Sequence, residues 1–353
     1  MLDIATPLQP VDDPALWTRD QMAATSDWLH VLSPAEIAEL DSLVAKLDGE
    51  IADILDITRP RAAFVRLAPV LADIREGLLN GRGVAVLRGL PVERYTRRQA
   101  AIAFWCLGLH IGVPVSQNAL GHLLGHVTDL GDTSFDNPQN RGYQTHDALP
   151  FHSDFSDIVG LLCLHPARAG GESLVTSSIA VHNEMLRRDP HLVEVLTGQI
   201  YRDRRGEIPA GKAPWYQRPV FAYHEGRLTT CWTRGYIMSA RRFEELPPPS
   251  ETLIAALDLF EELAFELAFS MDFRQGDIQL LHNHVVVHSR TRYEDWPQPE
   301  RARHLLRLWL ATPGGRPLPD CYAELYGDLK PGDRPAGGIT VPGTIPKAPL
   351  DAE

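Results

Sequence analysis

The residues best suited to chemistry are Phe151-His152-Ser153-Asp154. In an extended backbone residues i and i+2 share a face, so His152 and Asp154 aim an imidazole and a carboxylate at one spot, a two-ligand bite for a metal ion. Far downstream, Gly276-Asp277 opens an apolar stretch that passes His282, Asn283 and His284 and reaches His288. On one strand those three histidines have the same parity, so each is a candidate third ligand. Two imidazoles and one carboxylate on one face of an ion leave the opposite positions open, the arrangement expected of Fe(II) enzymes that bind a co-substrate and oxygen together. An H-x-D pair alone carries little weight, since such pairs are common in loops.

Two arginines add to it. In Arg303-His304-Leu305-Leu306-Arg307, positions 303, 305 and 307 of a strand share a face, so both guanidinium groups enter an interior where only a buried anion justifies them. A dicarboxylic co-substrate supplies that anion, and the planar fork of arginine holds a carboxylate in a bidentate way that lysine does not. The plainer alternative is an ion pair with a surface acid such as Glu300. A rival metal site lies at Gly121-His122-Leu123-Leu124-Gly125-His126, where imidazoles at i and i+4 of a helix would bind zinc as in a hydrolase. No glutamate stands between them as a general base, and the two glycines oppose a helix. A non-catalytic, cupin-like binding protein is the remaining alternative.

Taken in order, His152-Ser153-Asp154, Gly170-Gly171-Glu172-Ser173-Leu174, Gly276-Asp277 with Asn283 and His288, and then Arg303 and Arg307 resemble the TauD/TfdA family of Fe(II)- and 2-oxoglutarate-dependent dioxygenases, within the clavaminate synthase-like superfamily. The resemblance spans about residues 80–330. It implies that His152, Asp154 and His288 are the iron ligands, and that His282 and His284 are supporting or core histidines. It implies that Arg303 clamps the distal carboxylate of 2-oxoglutarate, with Ser173 where the family places a hydroxyl donor, and that Arg307 meets an anionic group of the substrate. The run His282-Asn283-His284 departs from the Asp-Asn-Arg of taurine-type members. Gln117, Asn118 and Tyr143, with Gln144 and Thr145 close by, are candidates to touch the substrate, as are His122 and His126. The implied reaction consumes 2-oxoglutarate and O2, releases succinate and CO2, and hydroxylates, or else desaturates or cyclises, a small substrate. That substrate is anionic or zwitterionic, since Arg307 would otherwise be a buried charge without a partner. An amino acid or related carboxylate is the first expectation, a sulfonate or aryloxy acid the second.

These residues need a scaffold. Ser33-Pro34-Ala35-Glu36 reads as a capping box opening a helix to about Leu47, with Asp48-Gly49 as its stop. A second helix covers about Val70–Leu79, Val84–Leu87 is a short strand, and Thr96 with Gln99 caps a third helix. From about residue 111 short apolar runs alternate with Gly, Pro, Asn and Asp, a β-rich pattern. The expected strands are Val159–Leu164, Ser173–Val175, Val220–Tyr223, Leu228–Trp232, Ile278–Leu281, Val285–Val287 and Leu305–Leu310. Helices over Ala180–Leu196 and Glu251–Phe269 interrupt them. The expected fold class is α+β with a mainly β core, a double-stranded β-helix (jelly roll) with flanking helices. An N-terminal helical region occupies 1–80, the catalytic domain 81–330, and a Pro/Gly-rich C-terminal arm 331–353.

Composition bounds the alternatives. With 34 Lys+Arg against 46 Asp+Glu the net charge is −12 and no basic stripe is evident, so nucleic acid is not an expected partner. At 44% hydrophobic and 23% charged residues the chain is globular in type. Cys106, Cys163, Cys231 and Cys321 form no C-x-x-C pair, and neither a signal peptide nor an apolar run of about 18 residues is present, which fits the cytoplasm and no membrane partner. The expected partner is a small molecule, and a homo-oligomer is allowed.

Overall fold

Apolar runs separated by turn residues become the strands of two larger sheets, and three two-stranded ribbons accompany them among the described residues, the expected strands near 220–223 and 228–232 forming one such hairpin, Phe221–His224 with Arg227–Thr230. The computed structural model describes residues 8–131, 142–326, 329 and 338–352. The strands of those sheets are β1 (Leu29–Val31), β2 (Val84–Arg88), β3 (Val113–Pro114), β4 (Leu124–Val127), β5 (Leu149–His152), β6 (Ile158–His165), β7 (Ser173–Ser177), β8 (Phe269–Met271), β9 (Ile278–His282), β10 (Val286–Arg290) and β11 (His304–Ala311). The seven-stranded sheet has the order β1-β2-β9-β6-β11, with β3 and β4 both paired to β11. The four-stranded sheet runs β8-β7-β10-β5. Within both sheets the pairing is antiparallel except for the parallel pair β1 and β2.

Every residue of β9 and β11 is buried, as befits strands covered on both faces. Helices α1 (Pro34–Glu50), α2 (Leu67–Asn80) and α3 (Arg97–Ile111) build one cover, sharing an apolar cluster with β2, β6, β9 and β11. Leu40, Val44 and Leu47 lie at helical spacing on the buried face of α1, each contributing roughly 1.5–3 kcal/mol of burial. The capping boxes of Ser33 with Glu36 and of Thr96 with Gln99 both form. On the other side α4 (Ser178–Arg188), α5 (Pro190–Thr197) and α6 (Glu251–Glu266) pack against one another and on the smaller sheet.

Several boundaries differ from expectation for local reasons. The helix expected over 180–196 is two helices, because Pro190 cannot donate into the first and Asp189 caps the second by accepting from the His191 amide. The helix after Ser250 ends at Glu266, and Phe269 instead opens β8 and pairs with Val175 of β7. Asp48-Gly49 does not stop α1, which continues through Glu50. The second helix begins at Leu67, where the Glu39 carboxylate accepts from the amides of Val65, Arg66 and Leu67. The N-terminal region is not helical alone, since Leu29–Val31 adds a strand beside β2.

The stretch from Gly276 to His288 is also not one strand. A turn over Asn283-His284-Val285 separates β9 from β10, which belong to different sheets, so the shared parity of His282, His284 and His288 does not hold. Of the Pro/Gly-rich arm, residues 338–352 lie against the domain through backbone hydrogen bonds; most of 327–337 and Glu353 fall outside the described residues.

Candidate active site

Strand register brings the two histidines together. His152, the last residue of β5, is the direct partner of His288 in β10, with ring centroids 4.2 Å apart. Asp154 follows two residues later, its backbone amide donating to Asn283 Oδ1 at 3.0 Å while Asn283 Nδ2 donates to the Ser156 carbonyl. The β9–β10 turn therefore fixes the loop that carries the carboxylate. Asp154 Oδ1 lies 3.8 Å from His152 Nε2, and Oδ2 lies 3.9 Å from His288 Nε2. Among the described residues, His152, Asp154 and His288 are the one such group of His, Cys, Asp or Glu, with ligand atoms all within 4.8 Å of one another.

This group has the properties of a metal site. The neighbour spacings of 3.8 and 3.9 Å are within two metal–ligand bonds laid end to end, about 4.2 Å. Asp154 Oδ2 is buried with no hydrogen-bond partner, a costly state for a carboxylate unless a cation faces it. His152 Nδ1 donates to the Pro150 carbonyl at 3.0 Å, which fixes the tautomer and leaves Nε2 as the free lone pair. Burial, together with the neighbouring His152, pushes the His288 imidazole down to about 3. Burial likewise lowers His152, against the pull of Asp154. Burial alone would raise Asp154, but Arg307, His288 and His152 together hold it below the usual carboxylate range. Neutral imidazoles beside an ionised carboxylate are the protonation states that metal binding requires.

The arginines enter from β11 and its approach. Arg307 Nη1 lies 3.8 Å from Asp154 Oδ1, its Nε donates to Gln117 Oε1 at 2.6 Å, and its guanidinium stacks over Tyr143 and Trp309. Gln117 Nε2 donates in turn to the Arg307 carbonyl at 2.9 Å, so the glutamine holds both ends of the residue. Gly125, opposite Arg307 on β4, makes this possible, because a Cβ there would collide with Gln117 Oε1.

Arg303 is buried, and its Nη1 has no hydrogen-bond partner. Its guanidinium lies 5.0 Å from the centroid of Tyr293, and that of Arg290 lies 4.9 Å from the same ring. Burial lowers Arg303, and burial plus the charge of Arg303 lowers Arg290 to about 10. Both line a recess of ≈ 50 Å³ beside the triad, together with Ser173, whose hydroxyl is hydrogen-bonded to Gln279. Two cations with unspent donors in one small recess favour an anion. Arg290 was not anticipated from sequence, although it sits two residues after His288 and so on its face of β10.

A larger cleft of ≈ 400 Å³ is also lined by His152 and Asp154. Gln117, Tyr143 and Arg307 line it as expected, joined by the unanticipated Phe155, Arg205, Arg234, Tyr236, Met238, Trp309 and Ile339. Asn118 lies in a side recess, its Oδ1 accepting from the amides of Leu120 and His122. Gln144 also lines that recess, and the Thr145 carbonyl accepts from Arg290.

The other histidines have separate surroundings. His284 Nε2 meets Asp157 Oδ1 at 2.8 Å, and His282 is buried beside His284. The zinc-binding helix does not form: Leu124–Val127 is strand β4, and His126 is paired with His304.

Residues 54–309 match the family described as "Taurine catabolism dioxygenase TauD, TfdA family". This chain belongs to the TauD/TfdA family. Such a dioxygenase uses Fe(II), 2-oxoglutarate and O2, so both the zinc hydrolase and the non-catalytic binding protein are set aside. Among relatives, this TauD/TfdA chain is 34% identical over 335 residues to FR-33289 synthase of Streptomyces rubellomurinus (strain ATCC 31215), covering 93% of this chain and 98% of that protein. It is 29% identical to the taurine hydroxylase-like protein SAT17 of Stachybotrys chartarum (strain CBS 109288 / IBT 7711), covering 86% and 82% respectively. In fold it is similar to an asparagine oxygenase solved with Fe(II), 2S,3S-3-hydroxyasparagine and succinate, with TM-score 0.62, 19% identity, and 81% and 94% coverage. The non-heme iron oxygenase OrfP, solved with Fe and alpha-ketoglutaric acid, gives TM-score 0.60 and 16% identity over 80% of this chain and 94% of that one. No helix among the described residues is long and apolar enough to cross a membrane.

Proposed function

We propose that His152, Asp154 and His288 hold the iron of this dioxygenase, and that its substrate is a small anionic or zwitterionic molecule oxidised in the ≈ 400 Å³ cleft. The observation that carries the ligand assignment is the buried, unpartnered Asp154 oxygen between two neutral imidazoles. When bound, iron supplies the redox chemistry by which O2 converts 2-oxoglutarate to succinate and CO2 and oxidises the substrate.

The protein's part is binding and orientation. Arg303, with Ser173, receives the distal carboxylate of 2-oxoglutarate in the inner recess, where an anion satisfies the free donor of Arg303. Arg307, held by Gln117 and stacked on Tyr143 and Trp309, presents its remaining donors to the anionic group of the substrate. Phe155, Tyr236 and Met238 wall the cleft and exclude water from the reacting end. An amino acid is the favoured substrate class, consistent with the amino-acid ligands of the asparagine oxygenase and OrfP structures. Hydroxylation is the favoured outcome.

The two facing sheets are read as the halves of a double-stranded β-helix within a catalytic unit of about 81–330. The four free thiols fit a reducing compartment, the cytoplasm. The test is metal analysis combined with a screen of amino and organic acids for substrate-stimulated succinate release. His152→Ala should lose bound iron and that release together, and full activity in this variant refutes the ligand assignment.

A further inference from the structure

The C-terminal segment 338–352 lies outside the family-matched stretch 54–309, yet it is tied to the elements that carry the site. The Gly338 amide donates to the Phe155 carbonyl at 2.8 Å, one residue beyond Asp154. The Ile339 amide donates to the Ser116 carbonyl at 2.7 Å, one residue before the glutamine that holds Arg307. Further along, Lys347 exchanges backbone hydrogen bonds with Gly121 and Leu123, the Pro349 carbonyl accepts from His126 Nε2 at 3.0 Å, and Asp351 pairs with Arg97. Gly338 has φ +76°, and a Cβ there would collide with the Ser116 carbonyl, so the approach is built for glycine. The result of this anchoring is that Ile339, only 9% exposed, forms part of the wall of the large cleft beside Phe155, Tyr236, Met238 and Trp309.

We infer that residues 338–352 are a strap that completes the substrate site, and that Ile339 is a specificity-determining residue which contacts an apolar part of the substrate remote from its anionic group. The inference rests on the reading of Arg307 as the partner of that anionic group. A ligand for this cleft then has a charged end at Arg307 and an apolar body against Ile339, and lengthening the body strengthens binding only while it gains contact with that wall.

The experiment titrates anaerobic enzyme, loaded with Fe(II) and 2-oxoglutarate, with the linear alkanesulfonates from ethanesulfonate to octanesulfonate, read by calorimetry. Affinity in the native protein should rise about fourfold per methylene through the longer members. Ile339→Ala should lose part of that gain, binding octanesulfonate about tenfold more weakly while leaving ethanesulfonate unchanged, and Ile339→Leu should restore it. Arg307→Gln should weaken every member by a common factor. Thermal melts verify that each variant is folded. An unaltered chain-length dependence in Ile339→Ala, with the Arg307 effect intact, overturns the strap inference alone. No effect of Arg307→Gln overturns the substrate-site reading beneath it, and failure of the native enzyme to bind any member overturns both.

Discussion

Replacing Arg303 by Met separates co-substrate binding from folding, because the structure assigns the two effects opposite weights. Arg303 is 5% exposed, and its Nη1 makes no hydrogen bond within the protein. Its stabilising contact in the unliganded fold is the stacking over Tyr293 at 5.0 Å, a contribution of about 1 kcal/mol. Met fills similar volume and removes a buried charge, so the unliganded fold should lose no more than about 1 kcal/mol. With 2-oxoglutarate bound, the same substitution leaves its buried carboxylate with Arg290 still in the recess but removes charged hydrogen bonds, a loss of roughly 1.5–3 kcal/mol, or about one to two powers of ten in Kd. The assay is an anaerobic titration of the Fe(II) enzyme followed by the visible absorption of the 2-oxoglutarate chelate, repeated with 2-oxobutyrate, which lacks the distal carboxylate. Arg303→Met should weaken the first strongly and the second little. Equal losses for both acids, or a loss of several kcal/mol in urea unfolding of the unliganded protein, would show that Arg303 is a structural residue and that the clamp lies elsewhere.

Asn283→Ala should lower iron affinity about 10- to 100-fold, because the Asp154 amide loses its acceptor and the carboxylate its fixed approach; metal competition with a chelator measures this, and unchanged affinity removes the residue from the site. The pair His126 and His304 makes stability depend on acid. The Pro349 carbonyl accepts from His126 Nε2, so His126 Nδ1 is the acceptor for His304 Nε2 at 2.7 Å and both rings are neutral. Burial, with His126 adding to it, lowers His304 to about 3, and burial lowers His126 as well. The unfolded chain therefore binds more protons as pH falls below about 6.5, so this stability is complete above that pH and is lost progressively toward pH 3. His304→Gln, which keeps a donor and does not titrate, should flatten the slope of urea stability between pH 6.5 and 5 by up to about 1.4 kcal/mol per pH unit. An identical slope in the variant places the acid sensitivity elsewhere.

The proposed ligand set was legible because its pattern is short. His152 and Asp154 need only an extended backbone, and His288 follows from the order of motifs, although the reason is a register, His288 opposite His152, that no one-dimensional pattern displays. Strand parity breaks at Asn283-His284-Val285, where a tight turn inside an apolar run switches sheets without a Gly or Pro to mark it. Capping boxes are legible because they are local, whereas the end of α6 depends on Phe269 pairing with Val175, a contact of long sequence separation. Arg303 and Arg307 were found by charge on an apolar strand, but Arg290 was hidden because one arginine at the end of a strand usually faces water. The lining of the large cleft comes from loops and a tail with no periodicity, so Tyr236, Met238 and Ile339 had no signal to give.

Among the described residues strand β5 has a single neighbour in its sheet, β10, and His152 and His288 face each other across that one ladder. An ion shared by the two rings is therefore a clasp on an edge strand, the kind of element that opens first in local fluctuations. At free iron a thousandfold above its dissociation constant, the clasp adds about 4 kcal/mol against such opening. If the proposed ligation holds, backbone amide exchange along Leu149–His152 should report iron occupancy with neither turnover nor colour, and protease resistance should rise as iron binds.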